Sequence, residues 1–428
     1  MRVDSGSRVR RLVIMKEMKR KLFWIVLGTL LYAFLEISSL CVLYLVKKTK
    51  RVVYSPINST LFSEKEKERI GQLVKGETKY YEYSSTLGWA LKKNVSSRVY
   101  ETNSRGIRAD REYSLIPPYG TVRISTFGDS FTHCDGVRNK DTWQEKINHA
   151  HPDLEAINFG VCAFGLDQSF LYYQKEGTRY QSHIVFIGFM SENICRNVNV
   201  FRPFYGPYGP SMTKPRFTLI NDKLILNKNP IKTLSQYQDL LNFPGDLKPE
   251  LSTNDYYFQT RYTSGFFDFL PSVRLAKIIS SQIWRYKKGA IYHKNGLYNE
   301  DSEAYRVTVK IFDAFHESIE QHHSIPVIIL FPHKGDVAQY RKRERVSYEP
   351  LLNYFQLKNY RYIDIVTLFD SSSSKLRMKD MFGPKNHYTP LTNELIAKHM
   401  TAYLQKERLA DLDINDHGST QDTPIPNI

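Results

Sequence analysis

From Leu22 to Val46 the chain reads LFWIVLGTLLYAFLEISSLCVLYLV, an apolar run interrupted by one charge, Glu36, with basic clusters at both ends. A helix rising 1.5 Å per residue crosses a hydrocarbon layer of roughly 30 Å over such a length. The pattern predicts a transmembrane helix at 22–46, preceded by a basic cytoplasmic tail, 1–21. A cleaved leader fits poorly, because the run is too long and ends on Tyr44, Leu45, Val46 and lysines instead of a small-residue site. The heavier basic load before the helix favours an inside N-terminus and an outer, periplasmic or extracellular, main domain. Glu36 lies near mid-membrane, where a carboxyl group is costly; either a partner helix or another polar group faces it, or it is a tolerated polar residue in a single anchor.

Beyond the helix, 47–118 is polar with interspersed aromatics, a juxtamembrane spacer followed by an irregular collar. A different pattern then begins. Val122–Phe127, Ala156–Phe159, Ile184–Ile187, Val327–Phe331 and Tyr362–Val366 are short, mostly β-branched or aromatic runs with little polar alternation. Such runs suit strands buried on both faces, as in a parallel sheet. Between them, Ala304, Val307, Ile311, Ala314, Phe315 and Ile319 keep the spacing of one helix face. Thr389 and Pro390 form a helix start ahead of Leu395, Ile396 and Tyr403. The expected fold is a three-layer α/β/α sandwich around a central parallel sheet of about five strands, flavodoxin-like, over 119–406. An excursion at 197–299 is too long for a crossover and is read as a lid; it carries an expected hairpin, Phe217–Leu226, turning at Asn221-Asp222. Residues 407–428 are polar and expected to be disordered.

The net charge of +16 suggests nucleic acid until it is located. Twelve basic and three acidic residues precede position 52, an excess of nine that leaves about +7 for the rest, too diffuse for a phosphate-binding face. No nucleic-acid partner is expected. Four cysteines, one of them in the apolar run, exclude a disulfide framework. With no CxxC pair and no His-Glu-x-x-His spacing, neither metal nor cofactor is expected.

Open α/β sheets place ligands beyond the carboxyl ends of their strands. Three strand ends there carry Ser130 in FGDSFT, Gly160 in NFG and Asn193 in GFMSEN, and His387 stands before the last helix in NHYTP. A serine hydroxyl needs a base to become a nucleophile, and His387 is placed to supply one. The ordered set resembles the SGNH (GDSL-type) hydrolase superfamily, over roughly Arg123–Leu404 without the excursion. It is also similar to the membrane-anchored branch associated with bacterial surface polysaccharides, whose collar reads Asn-x-x-Gly-x-Arg, here Asn103, Gly106 and Arg108. The resemblance implies Ser130 as nucleophile and His387 as base. It further implies the Ser130 amide, the Gly160 amide and the Asn193 side chain as oxyanion donors.

Two positions depart from the family pattern. The acid commonly three residues before the histidine is replaced by Pro384, which leaves Asp380, the nearest upstream carboxylate, or a backbone carbonyl to orient His387. The third block has Glu192 directly before Asn193, and either side chain could take the donor position. Arg108 and Asp129 are candidate substrate contacts. The expected activity is that of an esterase or O-acyltransferase on ester-linked acyl groups, acetyl above all, of a cell-surface glycan or a small ester. The alternative is a catalytically silent glycan-binding or scaffolding module of a membrane polysaccharide-biosynthesis complex.

Overall fold

A computed structural model describes residues 5–48, 54, 56–58, 60–206, 209–369, 376–383, 385–407 and 409. Within it the chain divides into two units, one made of 1–61 and 260–287, the other of 62–259 and 288–428. Pro384, Tyr208 and nearly all of the polar C-terminal tail lie outside the described residues.

The first unit contains the helix Ser5–Lys48, whose stretch Val13–Lys48 is long and apolar enough to cross a membrane. Its apolar side chains from Leu22 to Leu45 are almost all exposed, the opposite of a core helix. The expected strain at Glu36 is answered inside this unit: its carboxylate accepts hydrogen bonds from the amide (3.0 Å) and hydroxyl of Ser272. Thus 260–287, read in sequence as part of a lid, groups with the N-terminal helix.

In the second unit, a hairpin of β1 (Tyr81–Ser84) and β2 (Gly88–Leu91) precedes the main sheet. The sheet strands are β3 (Val122–Phe127), β4 (Leu154–Asn158) and β5 (Ile184–Met190); an excursion hairpin, β6 (Arg216–Ile220) and β7 (Lys223–Asn227), comes before β8 (Ile325–Phe331) and β9 (Tyr362–Asp364). The five main strands are all parallel, in the order β4-β3-β5-β8-β9. Alternation along the strands sends Val122, Ile124, Ile184, Phe186, Val327 and Ile329 into one core with Trp143, Ile147, Ile396 and Met400 from the helices Trp143–Ala150 and Pro390–Lys406. The other face carries Phe127 and Phe189, which meet Tyr173 and Phe315, and Phe312, of the helices Leu166–Lys175 and Glu303–Gln321. This is the expected three-layer arrangement.

Local signals act where the sequence put them. Asn221 and Asp222 take φ of 49° and 60°, the left-handed pair that a two-residue hairpin turn requires. The Thr389 hydroxyl accepts from the Thr392 amide, with Pro390 in the first turn. Two buried charges secure the 197–254 part of the excursion. Lys214 pairs with Asp167 of the flanking helix, and Asp255 accepts the amides of Val200 (2.7 Å) and Phe201 (3.0 Å).

Candidate active site

The strand order reverses between β3 and β5, and the crevice beyond their carboxyl ends is where a doubly wound sheet binds its ligand. The turn after β3 is unusually tight. A Cβ on Gly128 would sit 2.1 Å from the Thr132 hydroxyl and 2.9 Å from the Gly188 carbonyl, so only glycine lets the chain turn here against the end of β5. Asp129 then caps the single helical turn Ser130–His133, accepting from the Phe131 amide at 2.9 Å, and Cys134 in left-handed conformation ends it. Ser130 is thereby held at the helix start, 6% exposed.

His387 arrives from the far end of the chain. Its loop is closed by Gly383 N–H to the His387 carbonyl (2.8 Å) and Thr389 N–H to the Met381 carbonyl (3.0 Å), and Tyr388 donates to the Pro332 carbonyl (2.7 Å) beyond β8. The result is a 3.0 Å contact between His387 Nε2 and Ser130 Oγ. The Phe131 ring lies 5.3 Å from the imidazole and limits its tilt. His387 Nδ1 is buried without a partner among the described residues.

Asp380 does not serve as that partner. Its carboxylate binds Arg377 Nε at 2.9 Å, which also holds its pKa below the usual carboxylate value, and only its backbone carbonyl reaches the histidine loop, accepting from Thr389 Oγ1. The helix turn Met378–Met381 explains this: Asp380 sits where its side chain caps its own turn at the Arg377 amide.

Asn193 begins the short helix after β5 and is completely buried, with both polar atoms of its side chain unpaired among the described residues. An orphaned buried amide costs about 1–3 kcal/mol and calls for a ligand or a water. Glu192, by contrast, turns outward and accepts from Tyr205 Oη at 2.8 Å. Gly160 packs so closely that a Cβ would lie 2.3 Å from the His133 amide nitrogen. Its own amide donates to Asn158 Oδ1 at 3.0 Å, so that donor is already engaged.

Arg108 and Asp129 act behind the site instead of facing outward. Arg108 is buried and donates to the carbonyls of Cys134 (2.9 Å) and Val137 (2.6 Å) and to Asn139 Oδ1 (3.1 Å), which ties the collar to the turn after Ser130. Asn103 of the same collar motif shapes the approach by accepting the Ile107 amide at 3.0 Å. Asp129, fully buried, is paired with Arg196 at 3.1 Å; burial raises its pKa against that pairing. Arg196 also donates to the Phe164 carbonyl and so links the turns after β3, β4 and β5. Sequence reasoning passed over it, although its spacing of three from Asn193 places it on the same helical turn.

A second cluster also went unnoticed. His133 Nδ1, Asp135 Oδ1 and Cys162 Sγ lie within 4.8 Å of one another. Three such donors could hold a cation, but Arg108 Nη1 sits 3.2 Å from the same imidazole nitrogen, and burial keeps the Cys162 thiol protonated. A guanidinium beside a protonated thiol fits a hydrogen-bonded network, not a cation site. Burial, and then Arg108, push the His133 pKa down to about 4.

No family model matches the sequence, and no curated protein matches it. Among solved structures, a member of the lipolytic protein G-D-S-L family from Veillonella parvula is 13% identical, with TM-score 0.34, covering 66% of this chain and 98% of that one. A GDSL-like lipase from Bacteroides thetaiotaomicron is 9% identical, with TM-score 0.31 and coverage of 68% and 91%. An alpha/beta hydrolase from the metagenome of Lake Arreo is 9% identical, with TM-score 0.35 and coverage of 66% and 94%.

Proposed function

We propose that the chain is a membrane-anchored serine esterase or O-acyltransferase that works on ester-linked acyl groups, acetyl above all, of a cell-surface glycan. The observation that carries the reading is the 3.0 Å contact between Ser130 Oγ and His387 Nε2, made by residues 257 positions apart. In this reading His387 Nε2 takes the hydroxyl proton as Ser130 Oγ attacks the acyl carbonyl. The oxygen, now negatively charged, is met by the Asn193 amide and the amide at the start of the Ser130 turn. His387 returns the proton to the departing sugar oxygen, leaving the acyl group on Ser130. Water or a second hydroxyl then takes the acyl group by the reverse sequence. A positioned base supports roughly 10²–10⁴ of rate, and each oxyanion donor roughly 2.7–4 kcal/mol.

The helix of 22–46 supports the membrane placement, and the surface-polysaccharide resemblance supports the glycan. The full chain in detergent should cleave a chromogenic acetyl ester and be labelled at Ser130 by a fluorophosphonate. Ser130→Ala retaining full activity would remove the serine from the mechanism. The unpartnered His387 Nδ1 and the engaged Gly160 amide favour the second reading, a silent glycan-binding module, which predicts no labelling and measurable sugar binding.

A further inference from the structure

The first unit contains, besides its long helix, a loop and a second helix that invert the ordinary rule for a water-facing surface. Phe266, Phe267 and Phe269 stand in a short turn with their rings in mutual contact and exposed, Phe266 to 85%. The helix Pro271–Lys288 follows. On it Ile279, Ile283 and Tyr286, spaced as one stripe, are exposed together with Trp284, and Tyr286 is 87% exposed. At 3.6 residues per turn Arg274 and Ser281 fall on the other side. There Ser281 is buried and the Arg274 Nε is shut off from solvent. A helix in water hides its apolar stripe; this one buries Ile278 and Ser281 but shows Ile279, Ile283, Trp284 and Tyr286 beside the exposed Lys287. Contiguous exposed aromatic and aliphatic surface of this kind marks a binding face.

Contacts within the unit say what covers it. At one end Ser272 binds Glu36, which lies inside the apolar run and ten residues, about 15 Å along a helix, before Val46. At the other, the segment just past the lysines is joined to the loop: Ile57 N–H donates to the Tyr262 carbonyl (2.9 Å), Ser264 N–H to the Ile57 carbonyl (2.8 Å), and Tyr54 bonds Asp268. Lys277 closes the loop by binding Asp268 and the Thr263 carbonyl. The three phenylalanines therefore lie on the stretch tied at one end to the apolar interior of the anchor and at the other to the chain just outside it. Along the anchor, that stretch reaches from the depth of Glu36 to the end of the apolar run at Val46.

We infer that Phe266–Lys288 is a second membrane element, an amphipathic helix with an aromatic wedge that is seated beside the anchor in the leaflet from which Val46 emerges. Its occupant is lipid: aliphatic and aromatic side chains enter the acyl region, and Trp284 and Tyr286 suit the interface. The inference rests on the reading of 22–46 as a membrane anchor. It gives the protein two attachments, so that the anchor is held in a defined rotation instead of turning freely.

The test uses the full chain carrying Cys41→Ser, reconstituted in phosphatidylcholine vesicles. An environment-sensitive fluorophore is attached in turn at Leu31→Cys, Phe267→Cys, Ile283→Cys and, as the aqueous reference, Tyr119→Cys, an exposed position of the other unit. Labels at 31, 267 and 283 are expected to be quenched several-fold more by nitroxide lipids than the label at 119, and several-fold less by iodide. Iodide access at 267 or 283 equal to that at 119, with 31 still quenched by lipid, overturns the inference and leaves the anchor standing. Protection of 267 and 283 from both quenchers also overturns it, because protein then covers the face. Failure at 31 marks the anchor itself as wrong, and the inference falls with it.

Discussion

Replacing Asn193 by leucine separates a catalytic from a structural role for this side chain. The amide is fully buried and neither its oxygen nor its nitrogen has a partner among the described residues. Without a protein partner it is a liability to the fold: an unpaired buried amide costs about 1–3 kcal/mol, and a leucine of similar size removes that cost. Stability should rise by about 1–2 kcal/mol once some repacking loss is allowed for, a gain of roughly 1.5–3 °C in Tm for a domain of this size. Activity should move the other way. Loss of one oxyanion donor lowers kcat by about 10²–10³, with KM little changed, because the developing negative charge and not the ground-state ester is what the amide meets. Acetyl-ester kinetics and thermal unfolding on the same preparation read both effects. A variant that is less stable and proportionately less active would show that Asn193 merely holds the turn after β5. Activity within twofold of the parent would exclude it from the oxyanion site.

Other expectations follow from the surroundings. Asp380→Asn should leave kcat nearly unchanged, since the carboxylate serves Arg377; an acid that orients the base costs about 10⁴ when neutralised in a triad, so a large loss in acetyl-ester turnover would refute the assignment. Arg108→Lys should destabilise by roughly 2–4 kcal/mol in denaturant unfolding, because an ammonium cannot serve the Cys134 and Val137 carbonyls and Asn139 together. It should lower kcat equally for neutral and anionic esters; a rise in KM confined to anionic esters would instead make Arg108 a substrate contact. His133 has a folded pKa near 4, below its unfolded value of 6.5. The unfolded state thus binds the proton first, and the stability held above pH 6.5 falls by about 3 kcal/mol as pH drops to 4. Unfolding midpoints measured across that window should lose most of this slope in His133→Gln; an unchanged slope would place the titration elsewhere.

Much of this molecule was readable from short stretches. Strand runs with little polar alternation, the Asn221-Asp222 turn and the Thr389-Pro390 helix start report torsional preference and local burial, which act over a few residues and need no knowledge of what lies opposite. Ser130, Gly160, Asn193 and His387 could be picked out for the same reason, each standing at the end of a legible element. Other features depend on which distant groups meet. The order β4-β3-β5-β8-β9 sets the crevice and brings His387 across 257 positions to Ser130. Asp380 looked like an orienting acid by proximity in the chain, yet a helical turn and Arg377 claim its carboxylate. Arg108, exposed on any compositional prior, is drawn inward by three oxygens that only the folded turn gathers. The segment 260–287 read as lid, and hydrogen bonds to Glu36, Tyr54 and Ile57 join it to the first unit. Pairings of this kind are decided by long-range packing, where the identity of a residue constrains its possible partners but not which of them arrives.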